Sequence, residues 1–142
     1  MSSSNVIQYG LPLSLADAKT IVAAAEREAV ANDMQVIIAI VDSAAQLVLL
    51  HRLDHAQFGS IDVAISKAQT AVRFKRPTKA VQDAIAQGGL ALRMLTIPNI
   101  CGIEGGIPLL KDGKIVGAIG VSGMLAQQDT QVAEAGAAAY HG

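Results

Sequence analysis

The sequence predicts an α+β domain whose antiparallel sheet is covered by helices on both faces, and three observations carry that expectation. Residues 36–41 and 47–50 are unbroken apolar runs separated only by a short polar turn. Asp112-Gly113 lies between two further strand-like runs, where a type I′ turn would take positive φ at both positions. Finally, strands and helices do not alternate along the chain as a parallel nucleotide-binding sheet requires. A length of 142 residues with 51% hydrophobic side chains fits one domain, residues 1–142, with its core at about 13–139.

The elements follow in order. Ser14 stands three residues before Asp17, and an apolar stripe continues through Leu15, Ala18, Val22, Ala25 and Ala29, so a first helix should run to about Asn32-Asp33. The runs at 35–41 and 47–50 form a hairpin. Because Leu47 and Leu49 point opposite to Val48 and Leu50, both faces of that hairpin need cover. Ser60 is a candidate cap for a second helix with the stripe Ile61, Ala64, Ile65, Ala68 and Val72. Its charges, Asp62 first and Arg73, Lys75 and Arg76 last, match the helix dipole. Lys67 and Arg73 fall off that stripe and read as a solvated face. Pro77 stops this helix, Thr78 is a candidate cap for a short one with the stripe Val81, Ala84 and Ile85, and Gly88-Gly89 ends it. Residues 90–100 fit either a helical turn or a strand start, with Pro98 restricting any strand to an edge. A second hairpin joins 107–110 to 114–121, and a last helix spans about 130–140.

Composition narrows the function classes. Eleven Lys and Arg against twelve Asp and Glu give a net charge of -1, which offers no field for nucleic acid. Mean hydropathy is high at +0.40, yet no apolar run approaches the roughly 20 residues of a membrane span. Residues 1–5 carry no basic start of a leader, so a cytoplasmic location is expected. Cys101 is alone, in an apolar setting that favours a small buried hydrophobe over a reactive thiolate.

The densest group of functional side chains is His51-Arg52-Leu53-Asp54-His55 at the end of the second strand. His51 and His55 could share a metal if the chain turns there, because an extended strand holds them about 13 Å apart. The plainer reading packs His51 with Leu53 and leaves Arg52 and Asp54 in solvent or across a subunit contact. Gly105-Gly106 before the second hairpin, and the glycines from 117 to 123 after it, permit close backbone approach to a ligand or to a packed helix. Neither run matches a phosphate-binding fingerprint, and Ser122 lacks the frame of a nucleophile elbow.

Several ordered motifs together resemble the GlcG/HbpS-like family: Val41-Asp42, Leu47, Arg52-Leu53-Asp54 and Ala56; then Lys67-Ala68, Thr70-Ala71, Phe74 and Pro77-Thr78; then Gly105-Gly106-Ile107-Pro108, Gly113, Gly117-Ala118-Ile119-Gly120-Val121-Ser122-Gly123, Asp129 and Ala133. The resemblance implies a profilin-like three-layer α/β/α sandwich with an antiparallel five-stranded sheet. It also implies homo-oligomers up to octamers and, in some members, haem or iron binding. Small members accompany glycolate or diol metabolism. This chain departs from the pattern at Ala45, where glycine is usual, which predicts a different turn conformation, and at His55, where a small residue is usual. The resemblance implies a histidine in the first helix for some haem-binding relatives, whereas residues 13–33 here contain none.

The leading reading is therefore a non-catalytic, cytoplasmic, homo-oligomeric protein that binds a small ligand, haem among the candidates. His51 and His55 are the iron candidates, and Arg52, Asp54, Gly105 and Gly106 are further cofactor-binding residues. The competing reading is an enzyme or accessory factor for a small hydroxy acid, aldehyde or diol, with Asp54 and His55 as acid and base and Gly105-Gly106 holding a carboxylate. A structural accessory subunit is the third.

Overall fold

The computed structural model describes residues 6–142, so the expectation about a leader, which rests on residues 1–5, lies outside the described residues. Among the described residues nine elements follow one another: α1 (Leu15–Ala31), β1 (Ile37–Asp42), β2 (Leu47–Arg52), α2 (Ser60–Arg73), α3 (Thr78–Gln87), a 3-10 helix (Gly89–Thr96), β3 (Gly106–Lys111), β4 (Lys114–Ser122) and α4 (Ala126–Ala138). The strands form one antiparallel sheet in the order β2-β1-β4-β3. It has four strands, not the five that the resemblance implies. Outside these strands, a single parallel bridge joins Tyr9 to Ile115.

Alternation along β1 explains how the sheet is covered. Ile38 and Ile40 join Ile21, Val22 and Ala25 of α1 and Val132 and Ala133 of α4 in one apolar cluster. Ile37 and Ala39 point the other way, to Ala56 and to Ala64 of α2. One face is thus closed by α1 and α4, the other by α2, and each buries its own set of side chains.

The distance between α2 and the sheet is set by missing side chains. Gly106, Gly120 and Ala39 stand in one row across β3, β4 and β1. A Cβ on Gly120 would run into the Ala64 carbonyl, and one on Gly106 into the Lys67 carbonyl, so the α2 backbone lies directly on the strands. The glycine pattern therefore serves helix packing.

Local chemistry accounts for most element ends. Ser14 Oγ accepts from Asp17 N at 3.1 Å and starts α1. Asp112 and Gly113 both take positive φ, 52° and 75°, as a two-residue turn between β3 and β4 demands. The β1–β2 turn corrects an expectation. Ala45 keeps the left-handed conformation a glycine would take, at φ 62°, because Asp42 Oδ1 accepts from both Ala44 N and Gln46 N, at 2.8 and 3.0 Å. Residues 89–96 form a 3-10 helix, and α4 starts at Ala126, four residues before the expected 130. The position before it is Leu125, whose N–H donates to Gln128 Oε1 at 3.1 Å, so no polar cap residue marks the start. Ser60 lies within α2 instead of capping it, its Oγ accepting from Gln57 Nε2 at 2.9 Å.

Candidate functional site

β2 extends to Arg52 and lies at a sheet edge, which places the dense group of side chains at a rim of the molecule. His51 pairs with Ile38 and Arg52 with Ile37, so the two side chains leave the strand on opposite faces. His51 turns toward α1, where its Nδ1 lies 3.0 Å from Glu26 Oε1, each side chain 42% exposed. Arg52 turns toward the start of α2, its guanidinium 5.4 Å from the centre of the Phe58 ring.

Beyond Arg52 the chain does turn. Ala56 N donates to Leu53 O at 3.2 Å, and His55 takes φ 71°, leaving Asp54 and His55 exposed at the tip. That tip separates two open grooves. One, of about 470 Å³, is lined by Glu26, Met34, Arg52, Asp54 and His55 among others. The other, of about 430 Å³, runs from Arg52 to Phe58. Among the described residues no three His, Cys, Asp or Glu side chains gather into a metal set.

Gly105 and Gly106 lie elsewhere. Gly106 and Leu50 belong to the same row but sit on opposite edge strands, three strand spacings or about 14 Å apart. The two glycines line a separate groove with Pro77, Lys79, Asp83 and Thr130. Gly106 N already donates to Thr78 Oγ1 at 2.9 Å, and Gly105 O accepts from Val121 N. Within one chain the structure therefore joins His51, Arg52, Asp54 and His55 at one edge and leaves Gly105 and Gly106 at the other.

Lys67 corrects a sequence expectation outright. Placed on a solvated face by its spacing, it is 1% exposed and donates from Nζ to Val121 O at 2.8 Å and to Asp129 Oδ2 at 3.1 Å. Its path runs beside Gly105, where a Cβ would stand 2.9 Å from Nζ. Asp129 Oδ1 accepts from Met124 N at 3.0 Å, which fixes the chain entering α4. Burial pushes the Asp129 carboxyl above its ordinary range, against the opposing pull of Lys67 and of backbone N–H groups. No periodicity marks this pair, since its partners lie 62 residues apart. Cys101 is half-buried, and burial likewise raises its thiol pKa, which makes it a poor nucleophile at neutral pH.

Comparison with known proteins places this geometry among relatives. Residues 13–138 match the family described as haem degrading protein HbpS-like. Protein GlcG of Escherichia coli is 39% identical over 110 residues, covering 78% of this chain and 81% of that protein. The crystal structure of Klebsiella pneumoniae protein ORFY superposes with a TM-score of 0.87 at 28% identity over 97% of each chain. A PduOC:haem complex superposes at 0.84 with 29% identity, covering 92% of this chain and 96% of the other.

Proposed function

The chain belongs to the haem degrading protein HbpS-like family, and from that premise we propose that it is a small ligand-binding protein that takes haem at the β2 edge, held through His51 or His55. The observation that carries the reading is the 3.0 Å contact of His51 Nδ1 with Glu26. A carboxylate that accepts the Nδ1 proton fixes the ring orientation and leaves Nε2 as the nitrogen with the lone pair, the arrangement a metal-ligating imidazole needs. Haem, when bound, supplies an iron centre that accepts an imidazole nitrogen, together with a flat apolar body and two carboxylates. Arg52 is the cation at this edge for a carboxylate, and Phe58 supports its guanidinium from below. His55, at the tip between two grooves, is the second imidazole within the same segment. The likeness to the PduOC:haem complex supports the ligand class.

The profilin-like sandwich, the cytoplasmic homo-oligomeric setting and the accessory role in glycolate or diol metabolism belong to the same proposal, as the family resemblance implies them. Among the described residues no helix is long and apolar enough to cross a membrane. The enzyme reading has less support. It needs Gly105-Gly106 to hold a carboxylate near Asp54 and His55, while the Gly106 N–H is already bound by Thr78 and the two groups occupy opposite edges.

Titration of the metal-free protein with haemin, followed at the Soret band, tests the proposal. A saturating shift at a fixed ratio to subunits is expected. His51→Ala should abolish it, or His55→Ala if that ring is the ligand, and Glu26→Gln should weaken binding about 10-fold or more through loss of ring orientation. Unchanged affinity and spectrum in the His51→Ala/His55→Ala double variant would overturn it.

A further inference from the structure

A second binding feature lies well away from the β2 edge. The 3-10 helix Gly89–Thr96 buries none of its residues. Leu90 is 82% and Leu95 65% exposed, and Ile97 follows them at the surface. Between this helix and the end of α2 runs an open groove of about 450 Å³, its apolar lining supplied by Phe74, Leu90, Ala91, Met94 and Ile97. Two arginines, Arg76 and Arg93, complete the wall.

The charge around this groove is one-sided. Its lining carries Arg76 and Arg93 and no acid; of the nearest acids in sequence, Asp83 is taken by Lys79 at 3.0 Å and Glu104 is buried and bonded to Gln82 and Thr130. Lys75 is also occupied, donating to Ile7 O and lying over the Tyr9 ring. Arg76 donates from Nε to Phe74 O at 2.7 Å, which holds its guanidinium beside the groove and leaves its terminal nitrogens for another acceptor. Among the described residues no carboxylate lies within ion-pair distance of Arg76 or Arg93. An apolar trough with two unneutralised guanidinium groups at its wall complements a molecule with an apolar body and an anionic head.

We propose that the groove between the end of α2 and the 3-10 helix binds an amphipathic carboxylate, its chain lying on Leu90, Met94 and Ile97 and its head group paired with Arg76 and Arg93. The site is independent of the His51 edge and needs no metal. A two-pronged cation contact would set the orientation, and burial of the alkyl chain would supply most of the affinity.

Calorimetric titration of the purified full chain with dodecanoate, below its micelle threshold, tests this. One saturable site per chain is expected. Arg76→Gln and Arg93→Gln should each weaken it by about tenfold, the loss expected when a hydrogen bond to a charged group is removed. Dodecanol, with the same chain and no charge, should bind more weakly by a similar factor, and His51→Ala should bind dodecanoate as the parent does. Both arginines are exposed, so the variants retain the fold, which circular dichroism would verify. Equal binding of dodecanol, an unsaturable heat, or full affinity in the Arg76→Gln/Arg93→Gln double variant would overturn the proposal. So would binding to anionic vesicles of phosphatidylglycerol with none to monomeric dodecanoate, or a change of oligomer size in the arginine variants in place of a change in dodecanoate affinity.

Discussion

Lys67 and Asp129 form the one buried ion pair among the described residues. Both are removed from water, so their attraction has to offset the loss of two hydration shells, and the raised Asp129 pKa says that for this carboxyl burial outweighs the pull of its neighbours. Breaking the pair should be worse than deleting it. Asp129→Ala, which strands a buried ammonium, is expected to cost about 3–5 kcal/mol in urea unfolding, whereas Lys67→Met/Asp129→Leu should be neutral or more stable. The pH dependence has a definite sign. The folded chain binds the Asp129 proton more tightly than the unfolded chain does, so the stability from this group is complete below the unfolded pKa, near 3.8, and is lost as pH rises through the higher folded value. Subtracting the stability–pH curve of Asp129→Asn from that of the parent should isolate a contribution that falls with rising pH from about 3.8. A contribution that rises over that window would contradict the assignment. At the same scale, His51 was legible as a candidate because it belongs to a dense local cluster. Its orienting carboxylate was not, because Glu26 lies 25 residues earlier on a different element.

The elements repeat that division between local and long-range signals. Helix α1, both hairpins and the Asp112-Gly113 turn were readable because their causes lie within a few residues: a Ser14 cap, alternating apolar faces, a turn pair that takes positive φ. The start of α4 and the state of residues 89–96 were not, since Leu125 carries no capping group and the 3-10 helix buries no stripe to impose a period. Spacing likewise read Lys67 as exposed, because periodicity reports which helix face points inward and cannot show that α2 rests on glycines with its side chain threaded past Gly105. Gly120 tests that packing. Gly120→Ala drives a methyl group into the Ala64 carbonyl and should cost about 1–3 kcal/mol or more, since backbone cannot yield as a flexible side chain does. Ala45→Gly should be far milder. An L-residue in the left-handed region pays about 1–2 kcal/mol, but the Ala45 methyl is buried in one cluster with Val41 and Ala68, so its loss and the entropy cost of glycine offset most of the relief, and the variant is expected to lie within about 1 kcal/mol of the parent in the same assay, well short of the Gly120→Ala loss.

At the scale of the whole molecule, the two edges of the sheet are unlike. β3 carries Pro108 and ends in Lys111, features that discourage another strand from pairing there. β2 reads Leu47-Val48-Leu49-Leu50 with neither proline nor lysine, and its side chains are half-buried or exposed although all four are apolar. A lone chain would leave this strand's outer hydrogen-bonding groups and apolar flanks to water, next to the exposed Phe58 and Val30. In the homo-oligomer of the proposed function, antiparallel contact of two β2 edges about a twofold axis would relieve both costs. The homo-oligomer of the proposed function is therefore expected to depend on β2. Sedimentation equilibrium should find the parent associated at micromolar concentration and Leu49→Lys shifted to smaller species, with haemin affinity falling in step because the edge that binds it is no longer shared. A parent that remains monomeric across that range, or a Leu49→Lys variant that is folded and as fully associated as the parent, would place the subunit contact somewhere other than β2 and make the haem site a property of the single chain.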